Sequence, residues 1–455
     1  MPNRLEIYDV IVVGAGFAGL TAAQQLLSAG LKIKILEARN RVGGRVHTHY
    51  LDKDTYVDLG GQWIGPTQDR IYALAHKLRV ETFRTYNQGK NIISLNKKLK
   101  YYSGLIPKID WPSLINIQWV ITRLENMAEK VNLQQPWETP NAKALDQMTL
   151  ASFLQTQLPF KNARKVIEAG LETVFACTTA EISLLHALFY IRSGTSLDYL
   201  LNIDNGAQQD RFIGGAQLVA DRFADGFREH ILLEAPVRQI VQETDRVLVK
   251  GEDFSFPAKK LIIAIPPTLA ARIDYQPGLP AIRDQWTQRI GMGAVIKCYA
   301  IYEKPFWRTQ GMSGQVVSDD NYFLQTVFDN SPNDNSKGML MGFSLANRAR
   351  ELLEFPAAER SAIIKDTFVR FFGPEAAKMK YYIDKSWADE VWSRGCYVGI
   401  YPPGVWTGFK SVGSKPCGHI HWAGTETATE WNGYIEGAIQ SGERVAAEIV
   451  KLING

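Results

Sequence analysis

Cysteine is scarce in this chain, with only Cys177, Cys298, Cys396 and Cys417 in 455 residues. None forms a CxxC pair and all lie far apart, so neither a disulfide framework nor a zinc site is expected. No apolar run approaches the ~20 residues that span a bilayer. Charge of one sign is also lacking. A net +4 at this length is too weak for a nucleic-acid binder. The densest basic cluster, Lys97, Lys98 and Lys100, reads as a solvated loop, with a membrane-surface or acidic-ligand patch as the lesser alternative. Internal repeats and low-complexity tracts are absent. A nucleotide motif begins within a few residues of Met1, which leaves no room for a signal peptide. A cytoplasmic, reducing location is therefore expected.

What is present is an ordinary globular composition, 45% apolar and 22% charged, long enough for two or three domains. Residues 9–13 form a short β-branched run that reads as a buried parallel strand. Glycines follow, then a helical pattern over 18–27 and a second strand over 32–36, which together make a βαβ unit. Further strands are expected at 261–265 and 420–423, a hairpin at 236–249, and a terminal helix at 433–452. Two long insertions separate these pieces. The first carries helical patterns over 113–130 and 145–158. The second carries a strand over 294–302 and a helix over 357–371. The resulting expectation is an α/β fold: a discontinuous Rossmann-like nucleotide domain (1–81, 213–288 and 388–455) with an inserted α+β substrate domain (82–212 and 289–387).

A lone GxGxxG is weak evidence, but Gly14, Gly16 and Gly19 sit in full context: strand, glycines, helix, second strand, then Glu37. Gly14 permits the tight turn, Gly16 lets the backbone approach a pyrophosphate, and Gly19 lets helix pack on strand. The helix N-terminus offers free N–H groups to phosphate, and Glu37 suits ribose hydroxyls. FAD and NAD share this pattern. The next residues favour FAD. Ala38 and Arg39 lead to Arg41-Val42-Gly43-Gly44-Arg45, a second backbone nest with a cation for the same pyrophosphate. Asp58-Leu59-Gly60-Gly61-Gln62-Trp63 then allows the close backbone approach that a planar ring needs. A surface ion pair for Arg45 and a plain turn at Gly60-Gly61 are the simpler alternatives.

The stretches LEARNRVGGRVHT, DLGGQWIGPTQDRIY, FIGGAQLVADRF, GMGAVIKCYAIYEKPFW, RGCYVGIYPPGV and WAGTETATEWNGYIEGAIQSGERVAAEI carry a wider likeness. On them the chain resembles the flavin monoamine oxidase family, and closely its mitochondrial members. The likeness covers nearly the whole chain and is weakest over 90–141 and 318–336. It implies an FAD domain joined to a substrate domain, and oxidative deamination with oxygen as acceptor, giving aldehyde, ammonia and hydrogen peroxide. The mitochondrial members carry a C-terminal anchor helix. Here the chain stops at Gly455, and solubility without detergent is expected.

The resemblance also implies residue roles. Lys297 matches a lysine beside the flavin N5; on its pattern alone it is a buried strand lysine or one reaching solvent at an edge. Tyr397 and Tyr434 match an aromatic cage in front of the flavin, where two core tyrosines are the plainer reading. Cys396 matches the cysteine that links to the flavin in mitochondrial enzymes, although Arg394 replaces a small residue of that pattern. Gly424, Thr425 and Glu426 match contacts to the ribityl and pyrophosphate, Val237 a backbone contact to adenine, and Trp387 an aromatic near the ring. With Gly61, Gln62 and Trp63 these complete the cofactor set. Cys177, Leu201, Gln208 and Phe343 match the substrate cavity. No protein base is evident. Partners are expected to be an amine and O2, with a homodimer allowed. An L-amino-acid oxidase would want an arginine for the carboxylate, and a polyamine oxidase an acid deep in the cavity. A non-enzymatic FAD-binding scaffold would have no use for Lys297, Tyr397 and Tyr434 together.

Overall fold

The computed structural model describes residues 7–53, 55–104, 107–319 and 321–454. The first six residues of the expected nucleotide segment, and Gly455, lie outside them.

Two large sheets organise these residues. In the first, strand Tyr8–Val13 runs parallel to Ile33–Leu36 on one side and to Ser255–Ile263 on the other, with Val12 opposite both Ile35 and Ile262. All four residues 10–13 are buried, as a parallel strand covered on both faces requires. Ile231–Leu232 extends one edge. Strand Ser255–Ile263 does double duty. Its first half pairs antiparallel with Val247–Lys250, and its second half pairs parallel with Ile420–Trp422. Gln239–Gln242 and Asp274–Gln276 complete the other edge. Helix Phe17–Ser28 packs on helix Ile435–Asn454 so closely that a Cβ on Gly442 would lie 2.4 Å from the Ala18 carbonyl oxygen. A larger residue there would force the helices apart.

The second sheet runs in the order Tyr381–Ser386, Val295–Tyr302, Gly338–Leu345, Thr326–Asp329, Met312–Ser318, Lys90–Leu95, Lys98–Tyr102. Every residue of Val295–Tyr302 is buried and the strand is paired on both sides, which places Lys297 inside the sheet and not on an edge. The helices from Trp111 to Leu201 share a separate apolar core with Trp286, Tyr401 and Trp406.

Several elements depart from the sequence reading. The helix expected over 145–158 is two helices, Ala142–Gln147 and Leu150–Gln157. Met148 ends the first and Thr149 caps the second, its hydroxyl accepting from the Ser152 N–H at 3.0 Å. The strand expected at 261–265 begins at Ser255 and ends at Ile263, because Pro266 follows and its ring disfavours continuation. Lys98 and Lys100 do not lie in a loop. They are exposed on the edge strand Lys98–Tyr102, with Lys97 in the preceding turn. Among the described residues, no helix is long and apolar enough to cross a membrane.

Candidate active site

One cavity of about 460 Å³ runs along the C-terminal ends of the first sheet's parallel strands and on to the face of the second. That is where α/β sheets place ligands. Gly14 has φ +102°, and a Cβ there would lie 2.8 Å from the Ala264 carbonyl oxygen, while a Cβ on Gly19 would lie 1.9 Å from the Gly14 oxygen. Turn and helix can approach only without side chains. Gly16 and Gly44 face each other with no side chain between them. Gly16 is also the N-cap of helix Phe17–Ser28 and offers no side-chain cap, so the first-turn N–H groups are free to face an anion. Glu37 is buried. Its carboxylate accepts from the Ala15 N–H at 2.8 Å and the Arg39 N–H at 2.9 Å.

Arg45 makes a bidentate pair with Glu426 at 2.7 and 3.1 Å and also donates to the Tyr397 carbonyl at 2.8 Å. Glu426 lies behind Arg45, outside the cavity wall. Gly424 and Thr425 line the cavity. The Thr425 hydroxyl accepts from the Gly433 N–H at 2.6 Å and donates to the Tyr434 carbonyl at 3.1 Å, so the turn below the cofactor cradle also fixes Tyr434. The long helix begins only at Ile435, and the Gly424–Glu426 segment is separated from it by a loop. Trp387, fully buried, donates its indole N–H to the Leu59 carbonyl at 2.7 Å. Val237, Gly61, Gln62, Trp63 and Arg39 are in the wall as well.

Lys297 Nζ reaches three oxygens: the Asp58 carbonyl at 2.6 Å, the Gly60 carbonyl at 2.9 Å and Gln62 Oε1 at 2.7 Å. The Tyr299 hydroxyl approaches two of the same atoms, the Asp58 carbonyl at 2.6 Å and Gln62 Oε1 at 2.9 Å. The Gln62 amide N–H then donates to Asn330 at 2.8 Å, and the Asn330 carbonyl accepts from Arg211 at 2.9 Å. Burial pulls the Lys297 pKa down to about 7, with the Arg211 cation adding to the fall and Asp58 opposing it. The three oxygens also oppose it, since only an ammonium can donate to all three.

Beyond Lys297 the cavity wall becomes an aromatic chamber. Phe343 meets Tyr397 edge-on at 6.0 Å, Trp63 contacts Phe328 at 5.0 Å, and Tyr434 lies 6.2 Å from Tyr190. Burial raises the pKa of Tyr397 well above its ordinary value, which keeps its phenol neutral. Cys396 is in the wall, and burial pushes its thiol up to about 12 against the pull of Arg45.

Gln208 and Phe343 line the chamber, but Cys177 and Leu201 do not. Cys177 is buried in the helical core. Leu201 ends helix Leu197–Leu201, 37% exposed, and covers Gly170 from outside. Thr173 and Val174 of helix Lys161–Phe175, together with Tyr190 and Phe328, form part of the wall. Sequence reasoning missed these four. Tyr190 and Val174 sit in helical apolar patterns that read equally well as core.

A dinucleotide cradle that opens into a buried aromatic chamber defines an oxidoreductase acting on a small organic molecule against a bound dinucleotide. The flavin containing amine oxidoreductase family model matches residues 17–450. The probable flavin-containing monoamine oxidase A of Dictyostelium discoideum is 38% identical, covering 98% of this chain and 99% of its own. Among solved structures, cyclohexylamine oxidase from Brevibacterium oxydans superposes with a TM-score of 0.94 at 30% identity, over 99% of this chain and 100% of that one. Wild-type putrescine oxidase bound to putrescine gives 0.92 at 31%, over 98% and 99%. The chain belongs to the flavin-containing amine oxidoreductase family. It is an amine-oxidising flavoenzyme, and FAD is its cofactor.

Proposed function

We propose that the enzyme deaminates primary monoamines with an apolar or aromatic body, using O2 and releasing aldehyde, ammonia and hydrogen peroxide. One observation carries this reading: among the described residues, the chamber wall beyond Lys297 holds no charged side chain. Among the same residues, the only carboxylate in the cavity wall is Glu37, at the glycine-rich end. A second ammonium, as in a diamine, would be desolvated there without a partner. A substrate carboxylate would find no free guanidinium, because Arg45, the arginine nearest Tyr397, is already paired with Glu426. Gln208 supplies the chamber's orienting group. Its amide nitrogen donates to the Leu200 carbonyl at 2.9 Å, while its buried Oε1 has no protein partner and can accept from an amine N–H.

In this scheme Tyr397 and Tyr434 present ring faces to the amine, and the apolar chamber favours its neutral form. FAD, when bound, accepts the two electrons from the amine and passes them to O2. Gly14, Gly16, Gly44 and Glu37 would hold its pyrophosphate and ribose, and Trp387, Gly61 and Trp63 would border its ring. Lys297 would place a cation beside the ring edge, and Cys396 a thiol. Residues 1–81, 213–288 and 388–455 would form the FAD domain, with 82–212 and 289–387 forming the substrate domain. The four free cysteines suit the cytoplasm, and a homodimer is testable by light scattering.

Anaerobic flavin bleaching with a panel of amines tests the substrate assignment. Aromatic and cycloaliphatic monoamines should bleach fastest. Diamines of equal length, and L-amino acids, should react at least about 100-fold more slowly, given the cost of an unpaired buried charge. Faster bleaching by putrescine than by benzylamine would refute it.

A further inference from the structure

The cavity has a second end, beyond Glu37, where the segment after strand Tyr381–Ser386 folds over the opening. Val391, Trp392 and Ser393 line it from one side, and Val237 and Arg238 from the other. Both flanks are tied to the Glu37–Arg39 turn. The Ala235 N–H donates to the Glu37 carbonyl and the Glu234 N–H to the Arg39 carbonyl, each at 2.9 Å. From the opposite side, Arg39 donates to the Ser393 hydroxyl at 2.8 Å and pairs with Glu390 at 3.5 Å. Glu390 is held in turn by Lys385 at 2.6 Å. The strap 390–393 is therefore anchored at two points, and a large aromatic sits half-buried between them.

We propose that Trp392 is the adenine platform of the FAD site, a cofactor-binding residue flanked by Arg238. This rests on the placement of FAD along the cradle with its ribose at Glu37. The Arg238 guanidinium lies 5.5 Å from the centre of the Trp392 ring. A base sandwiched between the two would need two stacking gaps of about 3.4 Å each, so Arg238 is too close to be the second slice. It stiffens the indole by cation–π contact and is itself held by Glu252 at 3.0 Å. The base then takes the face of the indole that Arg238 leaves open. Stacking on an aromatic is indifferent to which hydrogen-bonding edge the base presents, which suits a rim where Val237 offers only backbone and apolar surface.

The test compares FAD with FMN, which lacks the adenylate half, on the full-length Cys396→Ser protein, so that no thioether can hold the flavin. The protein is stripped of flavin, and both dissociation constants are read by quenching of flavin fluorescence. Trp392→Ala should weaken FAD by about 10-fold or more and leave FMN within about twofold. Trp392→Phe, which keeps a ring face, should stay close to the parent. Equal weakening of FAD and FMN would make Trp392 a strut for the fold, and an unchanged FAD affinity would remove it from the site. Both outcomes overturn the inference while leaving the cofactor placement intact. If the parent bound FAD no more tightly than FMN, the placement itself would fail and the inference with it.

Discussion

Replacing Lys297 with Met should alter two measurements in ways that depend on pH. Burial lowers the Lys297 pKa from an ordinary 10.5 to about 7, so at about 1.4 kcal/mol per pH unit the buried ammonium costs about 5 kcal/mol. For a base whose folded pKa is depressed, that cost is fully present below pH 7 and gone above about 10.5. Wild-type stability should therefore gain on the variant as pH rises, by about 3 kcal/mol between pH 7 and 9.5. A pH-independent term accompanies it. Tyr299 can still cover the Asp58 carbonyl or Gln62 Oε1, but the Gly60 carbonyl loses its donor, at about 1–3 kcal/mol. Urea midpoints followed by tryptophan fluorescence at both pH values measure the difference. If the ammonium also assists oxygen, stopped-flow reoxidation of the wild type should slow as pH rises through about 7. Reoxidation in Lys297→Met should be slow and flat with pH, about 100-fold below the wild-type maximum, with anaerobic reduction by amine largely kept. A constant stability gap together with pH-independent wild-type reoxidation would refute the argument. Lys297 would then stay charged throughout and only brace the 58–62 turn.

Tyr434→Ala should show the reverse split, with anaerobic reduction slowed and reoxidation near normal; reduction at the wild-type rate would make the cage mere packing. Arg45→Met should strand the buried Glu426 carboxylate and destabilise the protein by about 3–5 kcal/mol, seen as a fall in melting temperature that Arg45→Met/Glu426→Gln partly restores. Gly19→Ala should abolish FAD retention in whatever protein folds, since its Cβ would sit 1.9 Å from the Gly14 oxygen; a yellow, stable variant would contradict the packing described. If Cys396 is linked, acid precipitation should keep the colour with the protein and Cys396→Ser should release it.

The glycine-rich end of the cavity was legible in the sequence because its determinants are local. Gly14, Gly16, Gly19 and Glu37 act within one βαβ unit, so their spacing is their geometry. The helix break at Thr149 was legible in principle, since a threonine followed by an apolar run is a capping signal, but the continuous pattern over 145–158 hid it. Lys297 shows a different limit. The alternation around it indicated burial, yet two of its three partners are the backbone carbonyls of Asp58 and Gly60, which have no signature in any side chain. The aromatic chamber was the least legible part. Its wall joins Val174 and Tyr190 from two helices to Phe328 and Phe343 from two strands, and each occupies a position where an apolar pattern alone predicts core. A few residues decide which side chain faces the cavity, and that separates Val174, in the wall near the end of helix Lys161–Phe175, from Cys177, in the core just past it. Gln208 marks where pattern ends and structure begins. An amide in that segment hints at polarity, but only the fold shows that its nitrogen is committed to the Leu200 carbonyl and its oxygen left free. The chamber is therefore biased toward a substrate that donates a hydrogen bond, which an amine does and a carboxylate cannot.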